Sequence, residues 1–260
     1  MTSAWPRGLL VSVRDAEEAA VAVAGGAAII DVKEPRNGPL GRPPAETVAT
    51  VAGVLPRQMP LTLACGELAS GDEITAYLAD VRRALPPDLP PPRAVKAGPA
   101  GLALDAWRTA FSRLQARLPP GTEAVAVAYA DWRRADAPPP EVLLTEAIRM
   151  KAAAFLVDTF DKQGPALFAT ISPQAVAAWS RAAEAAGLAL AVAGRLAGAD
   201  VAEALRLGAG VVGVRSAACD GGRDGRIAAP RVRLLARLAG SGSAPTRPIS
   251  PAVPSGVHVS

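Results

Sequence analysis

The sequence predicts an α/β fold built from repeated strand–helix units, and three observations lead to this prediction. Eight short apolar runs are present, and most are separated by a segment with helical periodicity. The runs begin 19 to 35 residues apart, which is the period of a βα repeat. The chain length of 260 residues matches what eight such units need. We therefore expect a single-domain (βα)8 TIM barrel.

An open, doubly wound sheet is the competing architecture. It would normally have fewer strands and a glycine-rich turn after the first strand. The first turn here reads Ser12-Val13-Arg14-Asp15 and contains no glycine. The barrel is therefore the favoured architecture.

Each predicted strand is a short run rich in Val, Leu, Ile and Ala, as is typical of strands buried on both faces. The runs cover residues 8–13, 27–33, 60–65, 93–98, 123–130, 153–159, 188–194 and 210–216.

The segments between the strands carry apolar residues at helical spacing. They predict helices over residues 15–24, 44–54, 71–84, 102–118, 140–151, 172–186, 199–207 and 231–238. Asp15 is a suitable N-cap for the first helix, and Gly25 is a suitable C-terminal stop.

The barrel is expected to span residues 7–239. From about Gly240 the sequence reads SGSAPTRPISPAVPSG, a Pro/Ser-rich composition with nothing to bury. Residues 240–260 are therefore predicted to form a flexible, disordered tail.

Composition excludes several classes of protein. The net charge of +4 comes from arginines interspersed with acids, with no basic block typical of a nucleic-acid surface. The longest apolar stretch, residues 19–30, contains Gly25-Gly26 and is too short to span a membrane. The N-terminal apolar run is too short for a signal peptide. We expect a soluble cytoplasmic protein, and the Ala-rich outer helices leave a homo-oligomer open.

Lysine is scarce in this chain. Of 28 Lys and Arg residues, only four are lysines: Lys33, Lys96, Lys151 and Lys162. An arginine guanidinium stays protonated, whereas a buried lysine amine can lose its proton and attack a carbonyl. All but Lys151 lie at or just after the C-terminal ends of predicted strands, where barrel enzymes place their active sites. The pattern predicts lysine-dependent chemistry on an aldehyde or ketone, with Lys151 structural at a helix end.

Two aspartates accompany these lysines. Asp31 lies two residues before Lys33, so strand alternation places both side chains on one face. Asp158 ends the sixth strand, four residues before Lys162. Clustered lysines and poor solvation would lower the pKa of one amine and supply a neutral nucleophile. The alternative for each lysine is a solvated loop charge or an ion-pair partner.

Glycine-rich turns follow the seventh and eighth strands, where this fold usually binds phosphate through backbone N–H groups. The candidate phosphate-binding residues are Gly194, Arg195, Gly213, Arg215 and Ser216. Arg195 or Arg215 could add a bidentate clamp. Turn chemistry alone would also explain these glycines, so both interpretations stay open.

Other chemistries are disfavoured. The one histidine, His258, lies in the tail, which excludes Ser-His-Asp triads, Cys-His dyads and zinc sites built on histidine. Cys65 and Cys219 are too few for a disulfide framework or a Cys-only metal site and are expected to be structural. Asp131, just beyond Tyr129, is expected to cap the turn that follows it. We expect no metal and no organic cofactor.

Several segments resemble one family. Residues 30–41 read IDVKEPRNGPLG and resemble the DVKxPxxGxLG signature of the (5-formylfuran-3-yl)methyl phosphate synthases, also called 4-(hydroxymethyl)-2-furancarboxaldehyde-phosphate synthases. Further matches follow in order: VKAG around Lys96, AYAD around Tyr129, LVDT-x-x-K-x-G over 156–164, AVAG before Arg195, and GVRSAACDGGRDGRI over 213–227. The likeness runs from about Leu9 to Leu238.

The resemblance implies a (βα)8 enzyme that condenses two glyceraldehyde 3-phosphate molecules into a phosphorylated furan aldehyde, with loss of one phosphate and two waters. The product would be an early precursor of the furan of methanofuran or methylofuran. At matching positions, Lys33 is implied as the Schiff-base lysine and Lys96 as the proton acceptor. Asp31, Asp158 and Lys162 match further active-site residues.

The chain departs from the family pattern at residues 165–168, where PALF replaces a more polar run, and at Ser216, where glycine is usual. Both departures concern substrate positioning more than chemistry. We further expect Asp31 to orient Lys33 and to support the iminium.

Two other functions are kept open. One is a different class I aldolase that acts on a phosphorylated sugar, since it also needs a strand-end lysine and a phosphate site. The other is a non-catalytic barrel that binds a phosphorylated metabolite without turnover.

Overall fold

The computed structural model describes residues 5–241. Eight parallel strands close into a barrel, because β1 pairs with β8 as well as with β2. The strands are β1 Gly8–Val13, β2 Ile29–Val32, β3 Leu61–Glu67, β4 Ala94–Gly98, β5 Glu123–Tyr129, β6 Ala154–Asp158, β7 Ala189–Val192 and β8 Val211–Val214. The predicted TIM barrel is confirmed.

Helices surround the barrel in the expected alternation. They are α1 Ala16–Ala24, α2 Ala45–Val54, α3 Gly71–Ala84, α4 Leu104–Arg117, α5 Pro140–Arg149, α6 Leu167–Thr170, α7 Pro173–Ala185, α8 Gly198–Arg206 and α9 Ala229–Ser241. The single-turn helix α6 was not expected from the sequence. The same holds for a two-stranded antiparallel sheet in the loop after β8, formed by β9 Cys219–Asp220 and β10 Arg226–Ile227.

Polar side chains start two of the helices. The Asp15 carboxylate accepts a hydrogen bond from the Glu18 backbone N–H at 2.8 Å and caps α1, as expected. Ser172 Oγ accepts one from the Ala175 N–H at 3.2 Å and caps α7. Each cap satisfies a backbone donor that the helix itself leaves unpaired.

Strand alternation separates two cores. In β2, Ile30 and Val32 belong to the apolar layer between barrel and helices, whereas Asp31 and Lys33 lie on the opposite face. The barrel interior therefore receives the charged side chains on which the site depends.

Small side chains line much of the barrel interior, including Ala94, Ala154 and Ala191. They leave a cavity that runs from the lysines at the C-terminal ends of the strands towards the N-terminal ends, where Trp5 forms part of its wall. A barrel filled by larger branched residues would have no such space. The alanine-rich composition thus leaves room for a cavity inside the barrel.

The last helix ends later than expected. Helix α9 continues through Gly240 to Ser241, whereas the sequence placed the end of the last helix at Leu238. Residues 242–260, including His258, lie outside the described residues. Within residues 5–241, no helix combines the length and apolarity that a bilayer crossing requires.

A close approach of α1 and α9 at Gly25 makes a stability prediction. A Cβ atom at Gly25 would lie 2.5 Å from Val232 Cβ, so Gly25→Ala should overpack this contact. We expect a loss of about 1–3 kcal/mol in the free energy of unfolding, measured by urea denaturation. Gly53→Ala is the control, because nothing lies within 4 Å of a Cβ there and alanine favours the helix. Equal stability of the two variants would contradict the packing argument.

Candidate active site

Three lysines meet at the C-terminal end of the barrel. Lys33 directly follows β2, Lys96 lies within β4, and Lys162 lies in the loop after β6. All three line one cavity together with Asp158, which we call the central cavity. The structure therefore brings together the lysines that the sequence singled out. Lys151 lies apart from them, exposed at the end of α5.

Asp31 is fully buried and is held by three neighbouring strands. Its Oδ1 forms an ion pair with Lys96 Nζ at 2.7 Å and accepts a hydrogen bond from Thr62 Oγ1 at 2.8 Å. Its Oδ2 accepts one from Ser12 Oγ at 2.9 Å. Ser12 and Thr62 are the ladder partners of Asp31 in β1 and β3, so strand register creates this arrangement.

One expectation for Asp31 is corrected here. The carboxylate makes its ion pair with Lys96, not with Lys33, although it lies two residues from Lys33. Its remaining oxygen is satisfied by a hydroxyl. Asp31 therefore positions the second amine of the site, and it acts on Lys33 only through its charge.

A second carboxylate–amine pair forms at the end of β6. Lys162 Nζ donates to Asp158 Oδ1 at 2.6 Å and to Thr159 Oγ1 at 3.3 Å. Burial alone would raise the pKa of Asp158, but the positive charges of Lys162 and Lys33 outweigh it and hold that pKa below its usual value. Burial lowers the pKa of Lys162, although Asp158 opposes the shift.

The Lys33 amine has neither a hydrogen bond nor an ion pair among the described residues, and only 7 % of the residue's surface is exposed. Burial lowers the pKa of its amine to about 7. The negative charge of Asp158 opposes this shift, while the neighbouring positive charge of Lys162 adds to it. A substantial fraction of the Lys33 amine is therefore neutral near pH 7, as a nucleophile requires.

Asp131 holds the loop that carries Lys162. Its Oδ1 accepts from the Phe160 backbone N–H at 2.6 Å, and its Oδ2 accepts from the Asp161 N–H at 2.8 Å. The sequence had predicted a cap for the turn after Asp131 itself. The structure shows that the carboxylate caps the loop of the neighbouring strand instead.

The glycine-rich turns lie at the wall of the central cavity, which Gly194, Arg195, Gly213 and Ser216 help to line. Gly194 has a φ of 111°, and a Cβ there would come within 2.9 Å of Thr159. Only glycine allows this close approach of the two loops. Arg195 is exposed, so its guanidinium is free to meet an anion that enters the cavity.

Arg215 does not fit its expected role as a phosphate clamp. All five guanidinium N–H groups find acceptors inside the protein. These acceptors are the two Glu18 carboxylate oxygens and the backbone carbonyls of Ser12, Arg223 and Gly225. The Glu18 ion pair is almost completely buried, so Arg215 ties the loop after β8 to α1 and has no donor left for a ligand.

A partly buried Tyr–Glu pair beside the site was not predicted from the sequence. Tyr129 Oη donates to Glu67 Oε1 at 2.6 Å, and the Ala100 N–H donates to Glu67 Oε2 at 3.1 Å. Burial raises the pKa of both Glu67 and Tyr129. Tyr129 lies opposite Asp158 in the β5–β6 ladder, but no sequence pattern links it to Glu67, which is 62 positions away.

Both cysteines are buried and free. Burial raises the pKa of the Cys65 thiol to about 12, and it also raises that of Cys219. Such thiols are poor nucleophiles, which agrees with the structural role expected for them. Among residues 5–241, no three His, Cys, Asp or Glu side chains are grouped so that they could hold a metal ion.

Comparison with known proteins identifies close likenesses over nearly the whole barrel. The family model described as 4-HFC-P synthase matches residues 9–236. The (5-formylfuran-3-yl)methyl phosphate synthase of Methanopyrus kandleri is 33 % identical, over 89 % of this chain and 97 % of the relative. The Methanocaldococcus jannaschii protein of the same name is 31 % identical, over 88 % of this chain and 98 % of the relative.

Solved structures show likeness of fold at low sequence identity. N-(5'-phosphoribosyl)anthranilate isomerase from Pyrococcus furiosus superposes with a TM-score of 0.59 at 14 % identity, covering 90 % of this chain and 99 % of the other. A chain of the Amycolatopsis orientalis BexX/CysO complex reaches a TM-score of 0.61 at 16 % identity, covering 96 % and 97 %. These likenesses support the barrel alone.

The Arg215–Glu18 pair makes a prediction about stability. Glu18→Gln leaves a buried guanidinium without its counter-charge, and we expect it to lower the free energy of unfolding by about 3–5 kcal/mol. The exposed Glu17, which pairs with Arg226, provides the control: Glu17→Gln should cost no more than about 1 kcal/mol.

The loss in free energy of unfolding caused by Glu18→Gln should also depend on pH. Burial raises the pKa of Glu18, but hydrogen bonds from Arg215 and Arg14 outweigh it and leave the folded-state pKa lowered. The stabilisation is therefore present above the unfolded-state pKa and is lost as the pH falls through the folded-state value. Urea denaturation of both proteins at neutral and acidic pH measures this loss, which should shrink on acidification. A loss that grows as the pH falls would contradict a stabilising ion pair between Glu18 and Arg215.

Proposed function

Because the chain belongs to the 4-HFC-P synthase family, we propose that it is a (5-formylfuran-3-yl)methyl phosphate synthase that uses Lys33 as its Schiff-base nucleophile. It would condense two molecules of glyceraldehyde 3-phosphate and release one phosphate and two waters. The observation that carries this proposal is the buried Lys33 amine, whose pKa is about 7, beside the Lys96–Asp31 ion pair. The product would serve the synthesis of a methanofuran-type cofactor.

In the first step, the neutral Lys33 amine attacks the carbonyl carbon of one triose phosphate and forms a carbinolamine. The Lys96 ammonium donates a proton to the carbinolamine hydroxyl, which leaves as water. The nitrogen lone pair then forms the C=N bond of the iminium. This step leaves Lys96 as a neutral amine next to Asp31. The ion pair seen between them thus describes Lys96 before this proton transfer.

In the second step, neutral Lys96 removes a proton from the carbon next to the iminium. The electrons of that C–H bond move towards the positively charged nitrogen and form an enamine. Lys96 returns to its ammonium form, and Asp31 again carries its counter-charge. Lys96 therefore acts first as an acid and then as a base, and no external proton carrier is needed.

In the third step, the enamine carbon attacks the phosphate-bearing carbon of a second triose phosphate. The bond from that carbon to the phosphate oxygen breaks, and the leaving phosphate takes a proton from the Lys162 ammonium, which Asp158 holds in place at 2.6 Å. The six-carbon adduct keeps the second aldehyde as its formyl group and loses one further water. The remaining hydroxyl of the second triose attacks the iminium carbon to close the ring, and the C–N bond to Lys33 breaks to release the furan and the free amine. The two trioses together have the oxidation state of the product, so no oxidant or reductant is consumed.

Covalent trapping tests the nucleophile. With glyceraldehyde 3-phosphate and borohydride, we expect a reduced adduct on Lys33, found by peptide mass analysis. Lys33→Arg keeps the charge but should abolish both the adduct and the furan aldehyde, which absorbs in the near ultraviolet. Lys151→Arg is the matched control and should retain both, since Lys151 is exposed and remote from the cavity. An adduct on another lysine would refute the assignment, and turnover to a product without a furan would favour a different aldolase.

The role of Lys96 is tested by Lys96→Arg, which preserves the ion pair with Asp31 but cannot act as a base at neutral pH. Borohydride should still trap triose on Lys33, but more slowly, because the carbinolamine hydroxyl must then take its proton from water. Exchange of the α-hydrogen for solvent deuterium, followed by NMR, should fall on the order of 100-fold or more, together with furan formation. Unchanged deuterium exchange would show that another group removes the proton.

A further inference from the structure

A surface depression lined by basic side chains adjoins the central cavity. It lies between the loops that follow β2, β5, β6 and β8, and its walls include Pro35, Arg36, Gly38, Arg134, Lys162 and Arg223. We call it the loop depression. Lys162 and Arg223 line both the loop depression and the central cavity, so the two spaces share a wall.

The charge of the loop depression is predominantly positive. Arg36, Arg134, Lys162 and Arg223 contribute four cationic groups, against the carboxylates of Asp161 and Asp224. Arg134 forms an ion pair with Asp161, so these two charges largely compensate one another. Arg36 and Arg223 remain as cations without an ion pair in the part of the chain that the structure describes. A concave surface with this balance attracts small anions.

Arg223 is fixed in the wall between the two spaces. Its Nη2 donates to the backbone carbonyls of Pro35 and Gly38, each at 3.1 Å. Within residues 5–241, its Nε and Nη1 make no hydrogen bond, so donors remain for a ligand. Burial lowers the pKa of Arg223, which indicates a positive charge that its surroundings only partly compensate.

Arg36 is held on a rigid loop three positions after Lys33. The Glu34 carboxylate accepts a hydrogen bond from the Arg36 backbone N–H at 2.9 Å. The Glu34 N–H donates to the Gly41 carbonyl at 2.9 Å, and a Cβ at Gly41 would approach Glu34 O to 2.1 Å. The backbone is therefore fixed at both ends of this loop, while the Arg36 side chain is exposed.

We propose that the loop depression binds the phosphate of the second triose, through the guanidinium groups of Arg36 and Arg223. This inference rests on the proposed function, because a reaction of two phosphorylated trioses needs two phosphate sites. The glycine-rich turns with Gly194 and Ser216 would hold the phosphate of the triose bound to Lys33. An anion in the loop depression places the second triose beside Lys162, the proposed acid for its leaving phosphate.

Arg36→Ala and Arg36→Glu test the assignment, because the Arg36 side chain makes no hydrogen bond within residues 5–241 and its loss should not affect folding. We expect kcat/KM for furan formation to fall on the order of tenfold to 100-fold in Arg36→Ala, and further in Arg36→Glu. Borohydride trapping of the first triose on Lys33 should be unchanged. Arg113→Ala, which removes an exposed arginine from α4, is the matched control and should behave like the unaltered protein.

A titration with inorganic phosphate, followed by 31P NMR, separates this inference from the proposed function. We expect two phosphates to bind per chain in the unaltered protein and one in Arg36→Glu. Normal turnover by the Arg36 variants, or an unchanged phosphate stoichiometry, would overturn the loop depression as a subsite. A protein that forms no furan but still loses one phosphate in Arg36→Glu would refute the proposed function and retain the anion site.

Discussion

The site depends on one lysine amine that is buried away from water and has no ion-pair partner among the described residues. Lys33 is almost completely buried, and no carboxylate comes within ion-pair distance among the described residues. The two carboxylates whose charges act on Lys33 are each paired with another lysine, Asp31 with Lys96 and Asp158 with Lys162. Desolvation therefore dominates over attraction, and the pKa of Lys33 lies near 7. If either carboxylate were free to bind Lys33, the amine would stay protonated.

The barrel imposes this division of partners through strand register. Asp31 lies in line with Ser12 and Thr62 in the strand ladders, and their hydroxyls together with Lys96 give each of its oxygens a partner. The position of each residue along its strand therefore determines which side chains can pair in the site. The arrangement also leaves Lys33 without the carboxylate partner that Lys96 and Lys162 each have, which separates the proposed nucleophile from the two proposed proton donors.

Much of the fold was predictable from sequence, because hydrophobic periodicity reports burial directly. All eight strands lie within two residues of their predicted bounds, and the Asp15 cap was identified correctly. Lysine scarcity pointed to the amines of the site. The partners of charged groups were predicted less well. Asp31 pairs with Lys96 and not with Lys33. Arg215, the expected phosphate clamp, uses all its donors on Glu18 and three backbone carbonyls. These acceptors come from distant chain positions, and only the closed barrel brings them together.

The most direct test of this account is the titration of Lys33 itself. The chain has only four lysines, so 13C NMR of lysine labelled at Cε should give four signals, and Lys33→Arg identifies the one that belongs to Lys33. We predict a midpoint near pH 7 for Lys33, because burial lowers its pKa to about 7. A midpoint near 10.4, the value of a solvated lysine, would contradict the central claim.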